Sequence, residues 1–112
     1  MRLIAAPWAL VLKARARRAG LHFPDQVFGL SWSGAMTEGR MCGLLARLPD
    51  GVNEIYTHPA IGGGFEGAAP GYRYQDELAA LTAPRTRAAL LESGARYGGF
   101  ADVVPLMPAA PA

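Results

Sequence analysis

The sequence predicts an α/β fold in which short parallel strands alternate with helices. Two observations carry this. Met41, Leu44, Leu45 and Leu48 recur at i, i+3, i+4 and i+7, the spacing of one apolar helix face, and Pro49-Asp50-Gly51 stops that helix. The run Val52–Thr57 follows the turn at once and is rich in the β-branched and aromatic residues that favour strands. A helix, a tight turn and a short apolar strand make the repeating rhythm of α/β proteins.

The elements fall in order along the chain. Residues 6–19 read as a helix of Ala, Leu, Lys and Arg, with Pro7 suited to its first turn and Gly20 to the residue after its end. Pro24-Asp25 marks a turn, and Val27–Leu30 reads as a short strand. Residues 31–34 are loop-like and carry Trp32. Thr37 stands where a helix N-cap belongs, ahead of the apolar face just described. The strand at Val52–Thr57 should end at His58, because Pro59 has no N–H to offer a sheet. "IGGGFEGAAPG" is a loop without periodicity. Two short helices follow, the first holding Glu77, Leu78 and Leu81, the second starting near Pro84 and running to Gly94. "ARYGGFADVV" reads as a last strand broken by Gly98-Gly99, and residues 105–112 as a disordered Pro/Ala tail. Three strands joined through helices would be parallel, and so few parallel strands make a poor sheet alone.

Composition narrows the class further. With 112 residues the chain suffices for one small domain. Eleven Lys and Arg against nine Asp and Glu give a net charge of +2, which is no nucleic-acid signature. Lys13, Arg15, Arg17 and Arg18 are clustered, but on a helical wheel they spread around the helix. They read as a solvated helix exterior, with weak contact to a membrane surface as the alternative. The single Cys42 excludes an internal disulfide framework and a cysteine zinc cage and fits a cytoplasmic protein. No apolar run reaches the roughly 18 residues that span a bilayer. The N-terminal stretch mimics a secretory signal but lacks a small-residue cleavage site and is followed by four positive charges.

Chemistry concentrates at His58. It sits at the C-terminal end of an expected parallel strand, the edge where α/β proteins gather ligands and catalytic groups. General acid or base, metal ligand, and a histidine satisfied by backbone in a strand-end turn are all open to it. Glu54 lies four residues earlier and shares a strand face with His58 by period two, so it reads either as a carboxylate partner or as a strand-rim residue. His22 and His58 are the only histidines, and no HxH, HxxxH or DxD pattern occurs. "GGG" at 62–64 is not a phosphate loop, Ser33 lacks the nucleophile elbow, and Cys42 reads as packing.

Several runs together resemble the YdjC-like carbohydrate deacetylases, and most nearly their hopanoid-associated HpnK branch. They are "VFGLSWSGAMT" at 27–37, "LLARLPDGVNEIYTHPA" at 44–60, "PGYRYQDELAALTAPRTRAAL" at 70–90 and "GGFADV" at 98–103. The resemblance covers almost the whole chain in order, and the E-I-x-x-H-P run is its most specific piece. It implies the C-terminal part of a distorted (β/α) barrel, spanning residues 1–104. It also implies an enzyme that removes acetyl groups from N-acetylated sugars with a divalent metal, Mg or Zn, whose bound water attacks the amide. The histidine of the family's "HP" run maps onto His58, which would face the pocket and act on the leaving amine or hold substrate. Trp32 and Glu54 are the candidates for holding substrate.

The departure is equally specific. The family's metal ligands come from an early "DDFG" aspartate and from "GLH" and "HxHxH" histidines, none of which has a counterpart here. "GLHF" at 20–23 falls too late in the family's order to give His22 a ligand role. The chain alone is therefore expected to bind no metal and to be inactive. Completed by an N-terminal part, it would take an acetylated sugar or a glycosylated hopanoid intermediate. Half of a split enzyme and a non-enzymatic binding module using residues 6–19 are the competing expectations. Open sheet edges would favour self-association.

Overall fold

The structure is a computed structural model that describes residues 2–108, with side chains from residue 7 onward. It divides into two compact units, one of residues 25–96 and one made of the two chain ends.

The unit of residues 25–96 opens with strand β1 (Gln26–Phe28), followed by a 3-10 turn at Leu30–Trp32, helix α2 (Glu38–Leu45) and strand β2 (Asn53–Ile55). The strands are parallel, in register Gln26↔Asn53, Val27↔Glu54 and Phe28↔Ile55, as a β-α-β connection requires. The fold is therefore α/β with a small parallel sheet. Asp25 holds the entry of the pair: its backbone N–H donates to Val52 O (2.8 Å) while its Oδ2 accepts from Val52 N (2.8 Å). At the far end Tyr56 N–H donates to Phe28 O at 2.8 Å. Both strands are shorter than the sequence suggests. Gly29, at φ +98°, turns the chain out of β1, and a Cβ there would lie 2.5 Å from Tyr56 O, so only glycine lets the two strand ends approach.

Thr37 caps α2 as expected, its Oγ1 accepting from Arg40 N at 3.4 Å. Thr37→Ala should cost about 1 kcal/mol of stability, the usual worth of an N-cap, read as a lower denaturant midpoint at unchanged slope. α2 packs on helices α3 (Tyr74–Thr82) and α4 (Pro84–Glu92), which Pro84 separates by starting the second at its first turn. The buried apolar core is Met36, Met41, Leu45 and Ala80, with Trp32, Leu44, Leu48, Ile55, Ala89 and Leu90 half-buried around it. Thr86 closes one side: its hydroxyl donates to Ala80 O, and Cys42 Sγ stands 3.8 Å from it. Cys42 is thus a packing residue of α2.

In the other unit, α1 spans Arg2–Arg18, so Pro7 lies inside the helix and not at its start. Arg15, Arg17 and Arg18 fall in its last turn, where positive charge opposes the partial negative charge of the helix end. The basic cluster thus has a local structural cause. Arg17 also lies over the Phe23 ring at 5.2 Å. The expected last strand is absent. Residues 100–103 form a one-turn helix, α5, started by Asp102 Oδ2 accepting from Gly99 N (2.9 Å), and a 3-10 turn follows at Val104–Leu106. The apolar residues of this segment suit a strand, but the local carboxylate bond to Gly99 wins. Residues 109–112 of the expected tail lie outside the described residues. Among those described, no helix is long and apolar enough to cross a membrane.

Candidate functional site

The site forms where the chain leaves β2. The ladder ends at Ile55, Tyr56 makes the last bond to β1, and His58 follows before Pro59. The loop beyond is tied back to α3, with Ala60 N–H donating to Tyr74 O (3.2 Å) and Gln75 Nε2 to Ile61 O (2.9 Å). His58 therefore sits at the C-terminal edge of the parallel pair, held between the sheet and the first turn of α3.

Three side chains define its surroundings. Glu77, in the first turn of α3, is wholly buried, and its Oε1 accepts from the His58 backbone N–H at 2.8 Å. A carboxylate near a helix N-terminus is favourably placed against the helix dipole. Tyr56 and Tyr72 meet the imidazole edge-on, with ring centroids at 4.5 Å and 5.1 Å. Such T-shaped contacts fix a ring's plane. Tyr72 is itself locked. The Gly34 backbone lies against its ring, and Arg73 N–H donates to Gly34 O at 2.7 Å. Tyr74 and Phe65 extend the aromatic wall, and the Tyr74 hydroxyl accepts from Ala69 N at 2.7 Å.

The two imidazole nitrogens differ. Nδ1 is buried and has no hydrogen-bond partner, and the same is true of Glu77 Oε2. Nε2, unlike Nδ1, is not fully buried, and it has no hydrogen bond to protein among the described residues. Beside the histidine, Tyr72, Arg73, Tyr74, Gln75, Asp76 and Gly63 line an open cleft of about 190 Å³. That is below the roughly 300–1,000 Å³ of complete small-molecule sites, so it has the size of a subsite. Two of its lining residues are aromatic and three polar or charged, with Arg73 Nε paired to Asp76 Oδ2 at 2.6 Å.

The other sequence candidates lie differently. Trp32, in the 3-10 turn, packs half-buried against the core, with the Arg40 guanidinium 5.2 Å over its ring. Glu54 is half-buried in β2 opposite Val27, and no hydrogen bond joins it to His58 among the described residues. Strand alternation stops at Ile55 and does not carry to His58. The carboxylate that reaches His58 comes instead from Glu77, nineteen residues on. Its one sequence cue is an acidic residue in the first turn after a glycine-rich loop.

The unit is α/β, with a histidine and a buried carboxylate at the edge of its parallel strands. The profile described as "YdjC-like protein" matches residues 2–92, and the chain belongs to that family. No curated protein and no solved structure matches it. The family implies a divalent metal, and the residues here do not fit one: no three His, Cys, Asp or Glu side chains gather to hold an ion among the described residues.

Proposed function

We propose that the chain provides the proton-transfer wall of a deacetylase for N-acetylated sugars, with His58 as its acid–base residue. One observation carries this reading. The imidazole stands at the parallel-strand edge against Tyr56 and Tyr72, and Tyr72 also lines the neighbouring cleft. Hydrolysis of an acetamide needs such a group. An amide nitrogen leaves as a neutral amine only if it gains a proton as the C–N bond breaks. An imidazolium at Nε2 supplies that proton and becomes neutral imidazole, leaving acetate and the free amine. Tyr72 and Tyr74 offer flat faces against which a sugar ring can lie.

In this family a divalent metal supplies the activated water. Because the donors here do not fit one, we assign the metal site to another part of the active enzyme. In that assembly β1 and β2 would be adjacent staves of a (β/α) barrel. The similarity of residues 27–37, 44–60 and 70–90 to the HpnK branch favours a glycosylated or acylated hopanoid intermediate as substrate.

The test has two arms. The purified chain is incubated with diacetylchitobiose and Mg²⁺ or Zn²⁺, and acetate is measured; we expect none. Metal-dependent release by the chain alone would overturn the assignment of the metal site elsewhere. The chain is then mixed with a polypeptide carrying the metal-binding part of a YdjC-like protein. Activity that appears on mixing should fall about 10²–10⁴-fold with His58→Gln, the usual range for losing a general acid. Full activity in His58→Gln would remove the histidine from the mechanism.

A further inference from the structure

Glu77 does more at this site than hold a backbone N–H. It is fully buried, and only one of its two side-chain oxygens is bonded. His58 Nδ1 is buried and also unbonded. Buried polar atoms without partners are rare, and two of them on a pair of residues already hydrogen-bonded to each other is a specific arrangement. Oε2 is one carboxyl group away from Oε1, which touches His58 N; Nδ1 is a few covalent bonds from that same nitrogen. The two orphaned atoms thus belong to the two residues that this one hydrogen bond joins. A single buried water is the ordinary way to satisfy such a pair.

We propose that Glu77 is a positioning residue that sets the tautomer of His58 through one water shared by Oε2 and Nδ1. A carboxylate only accepts, and its negative charge draws the ring proton to the nearer nitrogen. Nδ1 thus holds the proton and donates a hydrogen bond to the water, the water donates onward to Oε2, and Nε2 is left as the acceptor. This is the state in which Nε2 can take up a proton and later deliver it. The edge-on rings of Tyr56 and Tyr72 keep the imidazole in this plane. The inference deepens the acid–base reading of His58 but is read without any activity, so the two can fail separately.

The experiment is two-bond ¹H–¹⁵N correlation on the uniformly labelled chain at about pH 9, above the usual titration range of histidine. With only His22 and His58 in the sequence, His58→Gln assigns the spectrum by loss of one set of signals. In the wild type we expect His58 to show a protonated Nδ1 and an unprotonated Nε2. In Glu77→Gln the amide brings N–H donors to the same place, and the two resonances should exchange positions or average. Glu77→Asp keeps the charge and should keep Nδ1 protonated. A wild-type ring protonated at Nε2 would overturn the proposal, as would a folded Glu77→Gln with the wild-type pattern. If Glu77→Gln loses its dispersed spectrum, the wild type and Glu77→Asp decide: both protonated at Nδ1 supports the inference, and Nε2 in either refutes it.

Discussion

Gly34→Ala should destabilise the chain by about 2–5 kcal/mol and release the ring of His58. Two effects add at this position. Gly34 is buried with φ +76°, a left-handed conformation that costs a residue with a Cβ about 1–2 kcal/mol. The new Cβ would collide with Tyr72 Cγ and Cδ1, so the ring must move. Forcing an extra carbon into such a place costs about 1–3 kcal/mol. Tyr72 cannot move freely, because the Arg73 N–H bond to Gly34 O anchors the adjacent backbone. Its displacement opens the edge contact with His58. Gly64→Ala separates the two effects: Gly64 has φ +80° but nothing within 4 Å of a Cβ, so only the backbone cost of about 1–2 kcal/mol applies. Urea denaturation gives both numbers, and the His58 proton resonances report the ring. Equal losses for the two variants, with an unmoved His58, would show that Tyr72 does not depend on Gly34.

The contrast between these two glycines shows what a sequence does and does not disclose here. Features fixed by neighbours along the chain were legible. Thr37 as a cap and Pro84 as the start of a helix follow from local backbone chemistry, and the structure has both, whereas the strand before His58-Pro59 is present but stops at Ile55, short of the expected Thr57. The strand-edge position of His58 was legible for the same reason. Its partners were not. Glu77 reaches His58 only because α3 returns to the sheet, and the same fold brings Tyr72 against Gly34. Nothing in the spacing of "YRYQDEL" distinguishes Glu77 from the exposed Asp76 beside it. Residues 95–104 misled for a different reason. Tyr97, Phe100, Val103 and Val104 carry strand propensity, but propensity is a weak term beside the Asp102 bond that starts a helical turn at Gly99. Glu54 reads as a strand-rim residue or a partner of His58, and a three-residue strand is too short to carry alternation as far as His58.

Met36→Ala should remove most of the cooperative unfolding transition. Met36 is fully buried and precedes the Thr37 cap, in the connection between β1 and α2. It joins the two halves of the unit. Its Cε would lie 3.0 Å from a Cβ on Gly29 at the strand end, and it belongs to the same core cluster as Met41, Leu45 and Ala80 from the helices. Truncating a buried Met to Ala costs about 2–5 kcal/mol, more where the surroundings cannot collapse into the space. Here they cannot collapse easily, since Gly29 is held by its approach to Tyr56 O and the helices are held by each other. The loss must be set against a small total. Domains carry about 5–15 kcal/mol, and one whose fully buried apolar side chains include so few large residues belongs at the low end. Met36→Leu conserves most of the volume and should cost less than about 1.5 kcal/mol. Circular dichroism through a urea titration distinguishes the outcomes. A sloping, non-cooperative curve for Met36→Ala beside a sharp one for Met36→Leu means that this side chain closes the core against the strand ends. A sharp transition for both would mean that the helices hold together without the sheet. His58, bonded to Glu77 of α3 and packed against Tyr56, would then join the Ala60–Tyr74 and Arg73–Gly34 bonds in linking them.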